Sequence, residues 1–339
     1  MNWKEIQDNA REKLNPICKV CPVCNGVVCR GQMPGMGSPG TGASFINNYQ
    51  ALANYKLNLR TLHDVKEPEM SVEIFGQKLS LPVILGAVAG VKINFNSCIT
   101  EEELVDNWLQ GAQLSETIGM TGDGPDSAIY KIGLESSKKY PGLAIPIIKP
   151  RPQAEIIANI KEAEEAGAIA VGIDIDAAAL IHKNIKGLSV EPKTLMELRE
   201  IVASTTLPVI LKGIMTPVDA LIAAEAGASA IVVSNHGGRA MDHCAGTAEV
   251  LPEIASAVGD KMTVLIDGGI RTGLDVLKCL ALGAHAVVIG RPPTIAAIGG
   301  GAEGIKVMLD NFKFDLRKTM ILTGTKDVRY VNKNILYKG

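Results

Sequence analysis

The sequence predicts one α/β domain of 339 residues, a closed (β/α)₈ barrel carrying an N-terminal extension rich in cysteine and glycine. Three observations point there. From residue 82 onward a short aliphatic run followed by a longer amphipathic segment recurs eight times. Most of the runs lack polar alternation, as parallel strands buried on both faces should. Hydrophobic residues make up 47% of the chain but aromatics only 4%, so the core must be built from Val, Ile, Leu and Ala. An open doubly wound sheet shares the alternation, but eight units favour closure.

The elements follow in order. Residues 1–81 form an extension and barrel-closing segment of the same domain. They hold a short amphipathic start (Trp3, Ile6, Ala10, Leu14), a cysteine cluster, and the stretch "RGQMPGMGSPGTGAS", too rich in Gly and Pro for a regular element. "EMSVEIFGQKLSLP" alternates as a small hairpin that would close the barrel's bottom. Residues 82–339 form the barrel. Its strands are read at Pro82–Ala89, Thr117–Thr121, Leu143–Lys149, Ile169–Ile175, Leu207–Gly213, Ala230–His236, Thr263–Gly269 and Ala286–Arg291. "TEEELVDNWLQGAQL" opens with a Thr cap and first-turn acids, both favourable at a helix N-terminus. "TPVDALIAAEAGA" and "TGLDVLKCLALGA" each run from a Thr cap to a terminal Gly, Gly227 and Gly283. The tail from Ile305 to Tyr337 reads as one or two helices, and no linker divides the chain.

Composition excludes several classes. A net charge of −2, with both signs mixed along the chain, offers no footprint for nucleic acid or an anionic membrane. The start Met1-Asn2-Trp3-Lys4-Glu5 lacks a signal peptide's apolar core. No apolar run approaches the roughly 18 residues of a membrane span. The expectation is a soluble cytoplasmic protein.

In such barrels the chemistry gathers at the C-terminal strand ends. Here strand 4 ends with Asp174 and strand 5 with Lys212. Strand 6 runs into Ser234, Asn235, His236, Gly237, Gly238 and Arg239. Strand 7 ends with Asp267, Gly268, Gly269 and Arg271, and strand 8 with Gly290 and Arg291. Glycines let backbone N–H groups approach an anion and arginines add charge-assisted bonds, so the last two loops favour a phosphate site over plain tight turns. Lys212 is compatible with holding a negative charge, with Schiff-base chemistry, or with simply reaching water. His236 suits proton removal and Arg239 a planar grip on a carboxylate. Asp174 could orient the imidazole or only pair with a lysine. Base, hinge and clamp together suit a small anionic substrate that loses a proton.

Those strings, "LPVILKGIMTPVDALIAAEAGASAIVVSNHGGRAMDH" and "VLIDGGIRTGLDVLKCLALGAHAVVIGRP", resemble the FMN-dependent α-hydroxy acid oxidase and dehydrogenase family, that of glycolate oxidase and lactate oxidase. The likeness is strong over 207–339, weaker over 46–206 and absent at the N-terminus. It implies FMN-dependent oxidation of a small L-2-hydroxy acid to the 2-oxo acid. His236 would be the base while hydride passes to flavin, Arg239 would bind the substrate carboxylate, and Asp174 would support the protonated histidine. Lys212 would stabilise the reduced flavin, with Ser234 contacting it nearby. Ala87, Val88 and Ala89 would form the ledge under the flavin ring, near Thr121. Asp267 would hold the ribityl chain, and Gly269, Arg271, Gly290 and Arg291 the phosphate. The family suggests a homotetramer and leaves the electron acceptor open.

The substrate half departs from the family. The N-terminal tyrosine is replaced by the Cys- and Gly-rich stretch, and Pro146 and Ile148 stand where the family has Gln and Tyr. The ledge is Ala-Val-Ala instead of Pro-Thr-Ala, the arginine after strand 4 is missing, and "DAAALIHKNIKG" is shorter than the usual lid. Other readings are a flavin barrel such as type 2 isopentenyl diphosphate isomerase, or a flavin- or metal-bearing electron carrier.

Four of the seven cysteines, Cys18, Cys21, Cys24 and Cys29, lie in "CKVCPVCNGVVC". An odd total without a secretion signal argues against a disulfide framework. The spacing suits an iron–sulfur cluster in its first three members, or zinc, or a reduced, tightly folded thiol loop or one redox-active pair.

Overall fold

A computed structural model describes residues 1–179 and 189–337. In chain order its elements are α1 (Trp3–Leu14), α2 (Ala43–Asn54), β1 (Val72–Ile74), β2 (Gln77–Leu79), β3 (Val83–Val88), α3 (Val91–Asn94), α4 (Glu101–Leu114), β4 (Gly119–Thr121), α5 (Ser127–Lys139), β5 (Ala144–Ile148) and α6 (Gln153–Glu165). They continue as β6 (Val171–Asp174), α7 (Leu195–Ala203), β7 (Val209–Ile214), α8 (Pro217–Glu225), β8 (Ala230–Val233), α9 (Thr247–Val258), β9 (Thr263–Ile266), α10 (Gly273–Ala281), β10 (Ala286–Ile289) and α11 (Arg291–Thr323). Strands β3 to β10 pair in parallel and in sequence, and β10 closes on β3. The expected barrel is present.

The aliphatic runs are explained by the two faces of each strand. Ile84, Ile147, Ile210, Val232, Leu265 and Val288 point into the barrel and form its inner core. Their neighbours Val83, Leu85, Leu211, Ile231, Val264 and Val287 point outward into the layer packed by the helices. Both faces are dry, so alternation has no reason to appear. Truncating one such side chain, as in Ile210→Ala, costs about 2–5 kcal/mol. The expected hairpin is β1–β2, paired antiparallel, and its Ile74 and Leu79 join the inner core.

Capping follows the sequence signals. The side chains of Thr100, Thr216 and Thr272 accept from the N3 amides of α4, α8 and α10. Three differences stand out. Helix α2 begins inside the stretch read as irregular, where Gly and Pro masked the apolar spacing of Phe45, Ala51 and Leu52. Strand β8 ends at Val233, because Ser234 and Asn235 turn their side chains to loop contacts and His236 adopts φ +60. Helix α11 starts at Arg291 rather than Ile305 and kinks at Gly301, whose φ is +63. Most of "DAAALIHKNIKG" lies outside the described residues. No helix among the described residues is long and apolar enough to cross a membrane.

Candidate active site

A cavity of about 230 Å³ opens at the C-terminal mouth of the barrel. Of the residues singled out from the sequence, it gathers Ala87, Val88, Ala89, Asp174, Lys212, His236, Arg239, Asp267, Gly269, Arg271, Gly290 and Arg291 on one wall system. Thr121 and Ser234 are buried and do not line the cavity. Ser234 sits behind Asp267, donating to its Oδ2 at 2.9 Å and accepting from the His236 amide at 3.0 Å. It shapes the site from behind rather than facing it.

The polar centre is an interlocked set. Lys212 Nζ donates to Asp174 Oδ1 at 2.8 Å and lies 3.6 Å from Asp176 and 3.9 Å from Asp267. Lys149 Nζ reaches the other Asp174 oxygen at 2.5 Å. His236 Nδ1 is 2.8 Å from Asp176 Oδ1 and 3.4 Å from Asp174 Oδ1. The acid chosen from the sequence to orient the imidazole is therefore the more distant of two. Burial alone would raise the Asp174 carboxyl, but His236, Lys149 and Lys212 outweigh it and hold it well below the usual carboxylate range. Burial would likewise lower the Lys212 ammonium, yet Asp174, Asp176 and Asp267 push it above its ordinary value. Asp267 is raised, since burial exceeds the help from Lys212 and Ser234.

The loop after β8 explains its own sequence. His236, Gly237 and Gly238 carry φ of +60, +61 and +81, a left-handed run in which His is among the better tolerated non-glycine residues. A Cβ on Gly238 would meet the Phe45 amide nitrogen at 2.4 Å, so only glycine lets α2 dock there. Asn235 and Asn48 exchange side-chain bonds of 2.7 and 3.0 Å, and Asn235 Oδ1 also accepts from the Gly238 amide. Asn235 is a pin between the loop and α2.

The arginines are held by the N-terminal segment. Arg239 donates to the carbonyls of Gly35 and Gly37 and to Asn94 Oδ1. Arg291 donates to the carbonyls of Met36, Gly237 and Gly37 and lies 3.7 Å from the Phe45 ring centroid. Arg271 donates to the carbonyls of Cys24 and Ile270. Burial lowers both Arg239 and Arg291 to about 10.

Sequence reasoning missed Asp176, Asn94, Asn48 and Phe45, and read Lys149 only as a strand end. Asp176 carried a signal in "IDID", an acid two residues past Asp174. Asn94 carried none, being placed by α3 so that it donates to Ala89 O at 3.0 Å and steadies the ledge.

The four cysteines do not share one ion in this geometry. Among the described residues, the group of three or more metal-capable side chains with ligand atoms within 4.8 Å of one another is Asp174, Asp176 and His236, not the thiols.

Comparison with known proteins decides the family. The model of the FMN-dependent dehydrogenase family matches residues 36–197 and 181–338. The chain belongs to the FMN-dependent dehydrogenase family. The match begins after the four cysteines. The chain is 31% identical over 335 residues to 2-hydroxyacid oxidase 1 of Mus musculus, covering 86% of this chain and 88% of that protein. It is 32% identical over 330 residues to 4-hydroxymandelate oxidase of Amycolatopsis orientalis, covering 86% and 89%. A solved single-site variant of mandelate oxidase with (S)-mandelic acid superposes with TM-score 0.81 at 28% identity, covering 99% of this chain and 97% of that one. The protein is accordingly an FMN-dependent oxidoreductase.

The residues present fit FMN. Asp267 Oδ1 and Arg271 Nη2 are buried without a partner among the described residues, and both residues line the cavity. Buried polar atoms are rarely left so unless a ligand completes them. The first can accept from a hydroxyl and the second can donate to an anionic oxygen.

Proposed function

We propose that this family member oxidises a small L-2-hydroxy acid to its 2-oxo acid. Bound in the cavity, FMN supplies the acceptor for a hydride. Arg271 and Arg291, with the amides near Gly269 and Gly290, would hold its phosphate, Asp267 its ribityl chain, and Ala87–Ala89 its ring. Lys212 would set a positive charge beside the ring.

The observation that carries the reading is the pairing of His236 with two carboxylates. With Nδ1 turned to Asp176 and Asp174, that nitrogen carries the proton, and Nε2, unbonded among the described residues, is the base. It would take the substrate's hydroxyl proton as the α-hydrogen leaves. The resulting imidazolium is stabilised by charges already in place, so no reorganisation is needed at that moment. Arg239 would hold the substrate carboxylate. A type 2 isopentenyl diphosphate isomerase reading explains neither the His236–Arg239 pair nor the hydroxy acid oxidases among the relatives.

The test is anaerobic mixing of the FMN-loaded protein with a panel of L- and D-2-hydroxy acids. Bleaching of the flavin by L-2-hydroxy acids, with the matching 2-oxo acid formed in equal amount, is expected. A flavin that none of them bleaches would remove this reading.

A further inference from the structure

Cys18, Cys21, Cys24 and Cys29 remain outside both the family match and the proposed chemistry. All four are half-buried. Val20, at its centre, is 1% exposed, and its amide points at Cys18 Sγ at 3.4 Å. Arg11 holds the carbonyls of Lys19 and Val20 at 3.2 and 3.1 Å.

The four cysteines line one small cavity of about 30 Å³, together with Arg291 and Met36. Arg291 and Met36 also line the large cavity, so the two spaces share a wall. Sulfur spacing separates two kinds of metal site. Four thiolates on one tetrahedral zinc, at about 2.3 Å each, stand within about 3.8 Å of one another. Here no three sulfurs lie within 4.8 Å. A cuboidal [4Fe–4S] cluster puts each thiolate on its own iron and so needs sulfurs spread around a common space. The C-x₂-C-x₂-C run has the spacing of the first three ferredoxin cysteines, and Cys29, displaced from the ferredoxin position, lines the same space.

Charge points the same way. Among the described residues, every hydrogen bond made by the guanidiniums of Arg239, Arg271 and Arg291 goes to a carbonyl or to the Asn94 amide oxygen. Three part-buried cations thus stand together with no carboxylate hydrogen-bonded to any of their guanidiniums among the described residues. A phosphate monoester brings about −1.5 to −2. A thiolate-bound cluster on the other side of Arg291 would add further compensation.

We propose that Cys18, Cys21, Cys24 and Cys29 hold a [4Fe–4S] cluster that relays electrons from the flavin cavity to a one-electron carrier protein. The relay rests on the function proposed above; the cluster itself does not. Oxidising one hydroxy acid to the 2-oxo acid releases two electrons and two protons. Each electron in turn takes the cluster from the 2+ to the 1+ state and moves on, returning it to 2+. Two carrier molecules are reduced by one electron each, and two protons reach solvent.

The experiment is iron, sulfide, zinc and FMN analysis of holoenzyme purified without oxygen, with low-temperature paramagnetic resonance after dithionite. Wild type should hold about four irons and four sulfides per FMN and show a reduced-cluster signal. Cys21→Ser/Cys24→Ser should lose both while keeping its FMN, and Cys98→Ser should keep all three. Stoichiometric zinc, no iron even after reconstitution with ferrous iron and sulfide, or unchanged iron in the double variant would each overturn the cluster. Electron delivery from dithionite-reduced holoenzyme to cytochrome c should fall about tenfold or more in the double variant. An unchanged rate would overturn the relay. Neither readout depends on which substrate, if any, reduces the flavin.

Discussion

Asp176→Asn removes a charge while keeping the side chain's shape. In the structure its Oδ1 lies 2.8 Å from His236 Nδ1, while its Oδ2 is buried without a hydrogen bond. A hydrogen bond to a charged group is worth about 1.5–3 kcal/mol. At 1.36 kcal/mol per decade that is roughly 10- to 150-fold in rate, if the bond counts only once the imidazole is charged. Asp174 remains 3.4 Å from the same nitrogen, so the loss should fall toward the lower end. The assay is anaerobic stopped-flow reduction of the flavin against substrate concentration. The maximal rate should drop about tenfold or somewhat more, with little change in half-saturation, because Asp176 acts through His236 and not on the substrate. FMN content should stay at wild-type level. Reduction at the wild-type rate, with FMN retained, would show that Asp176 does not support the base.

Three further outcomes follow from the same geometry. His236→Asn keeps the left-handed turn, which Asn also tolerates, and should keep FMN while losing about 10²–10⁴-fold in flavin reduction. Arg239→Lys should raise the half-saturating substrate concentration, because a lysine cannot offer a fork; the flavin absorption spectrum checks that the pocket survives. Asp174→Asn leaves Lys149 and Lys212 without their shared carboxylate and should destabilise the fold by about 3–5 kcal/mol at neutral pH. Asp174 is held below its unfolded value, so its contribution is full above about pH 4 and fades as pH falls further. The melting-temperature gap between wild type and this variant should therefore narrow below about pH 4.

The barrel was legible because its strands face apolar layers on both sides, which leaves aliphatic runs with nothing to interrupt them. The site was legible where a strand end supplies the residue directly, as for Asp174, Lys212, Asp267 and Arg291. It was not legible where a short local turn redirects a side chain. Asp176 lies in the 3₁₀ turn Ile175–Ala177, and that turn, not the strand, brings its carboxylate back to His236. Nor could sequence place partners distant in the chain. Asn94 meets Arg239 across 145 positions and Asn48 meets Asn235 across 187, with no local pattern to mark either pair. Helix α2 was hidden because the glycines and prolines just before it dominated the composition of the stretch in which it starts.

The N-terminal segment completes the site by taking some donors of each arginine and leaving others. A guanidinium has five N–H groups. Arg239 spends both hydrogens of Nη1 on Gly35 and Gly37 and one of Nη2 on Asn94. Nε and the second Nη2 hydrogen remain, the pair that can grip a carboxylate side-on. Arg291 spends Nε and one hydrogen on each terminal nitrogen, which leaves an end-on fork suited to a phosphate. Arg271 spends Nε and one Nη1 hydrogen and keeps both on Nη2. Carbonyls fix the three planes without neutralising their charge, as carboxylates in the same places would. Asp242 secures the arrangement from the β8 side, accepting from the Thr41 amide at 2.6 Å and the Ala43 amide at 2.9 Å at the start of α2. The segment thus supplies oriented carbonyls that aim guanidiniums with no carboxylate partner into the cavity, while its four cysteines line a second space that shares Arg291 as a wall.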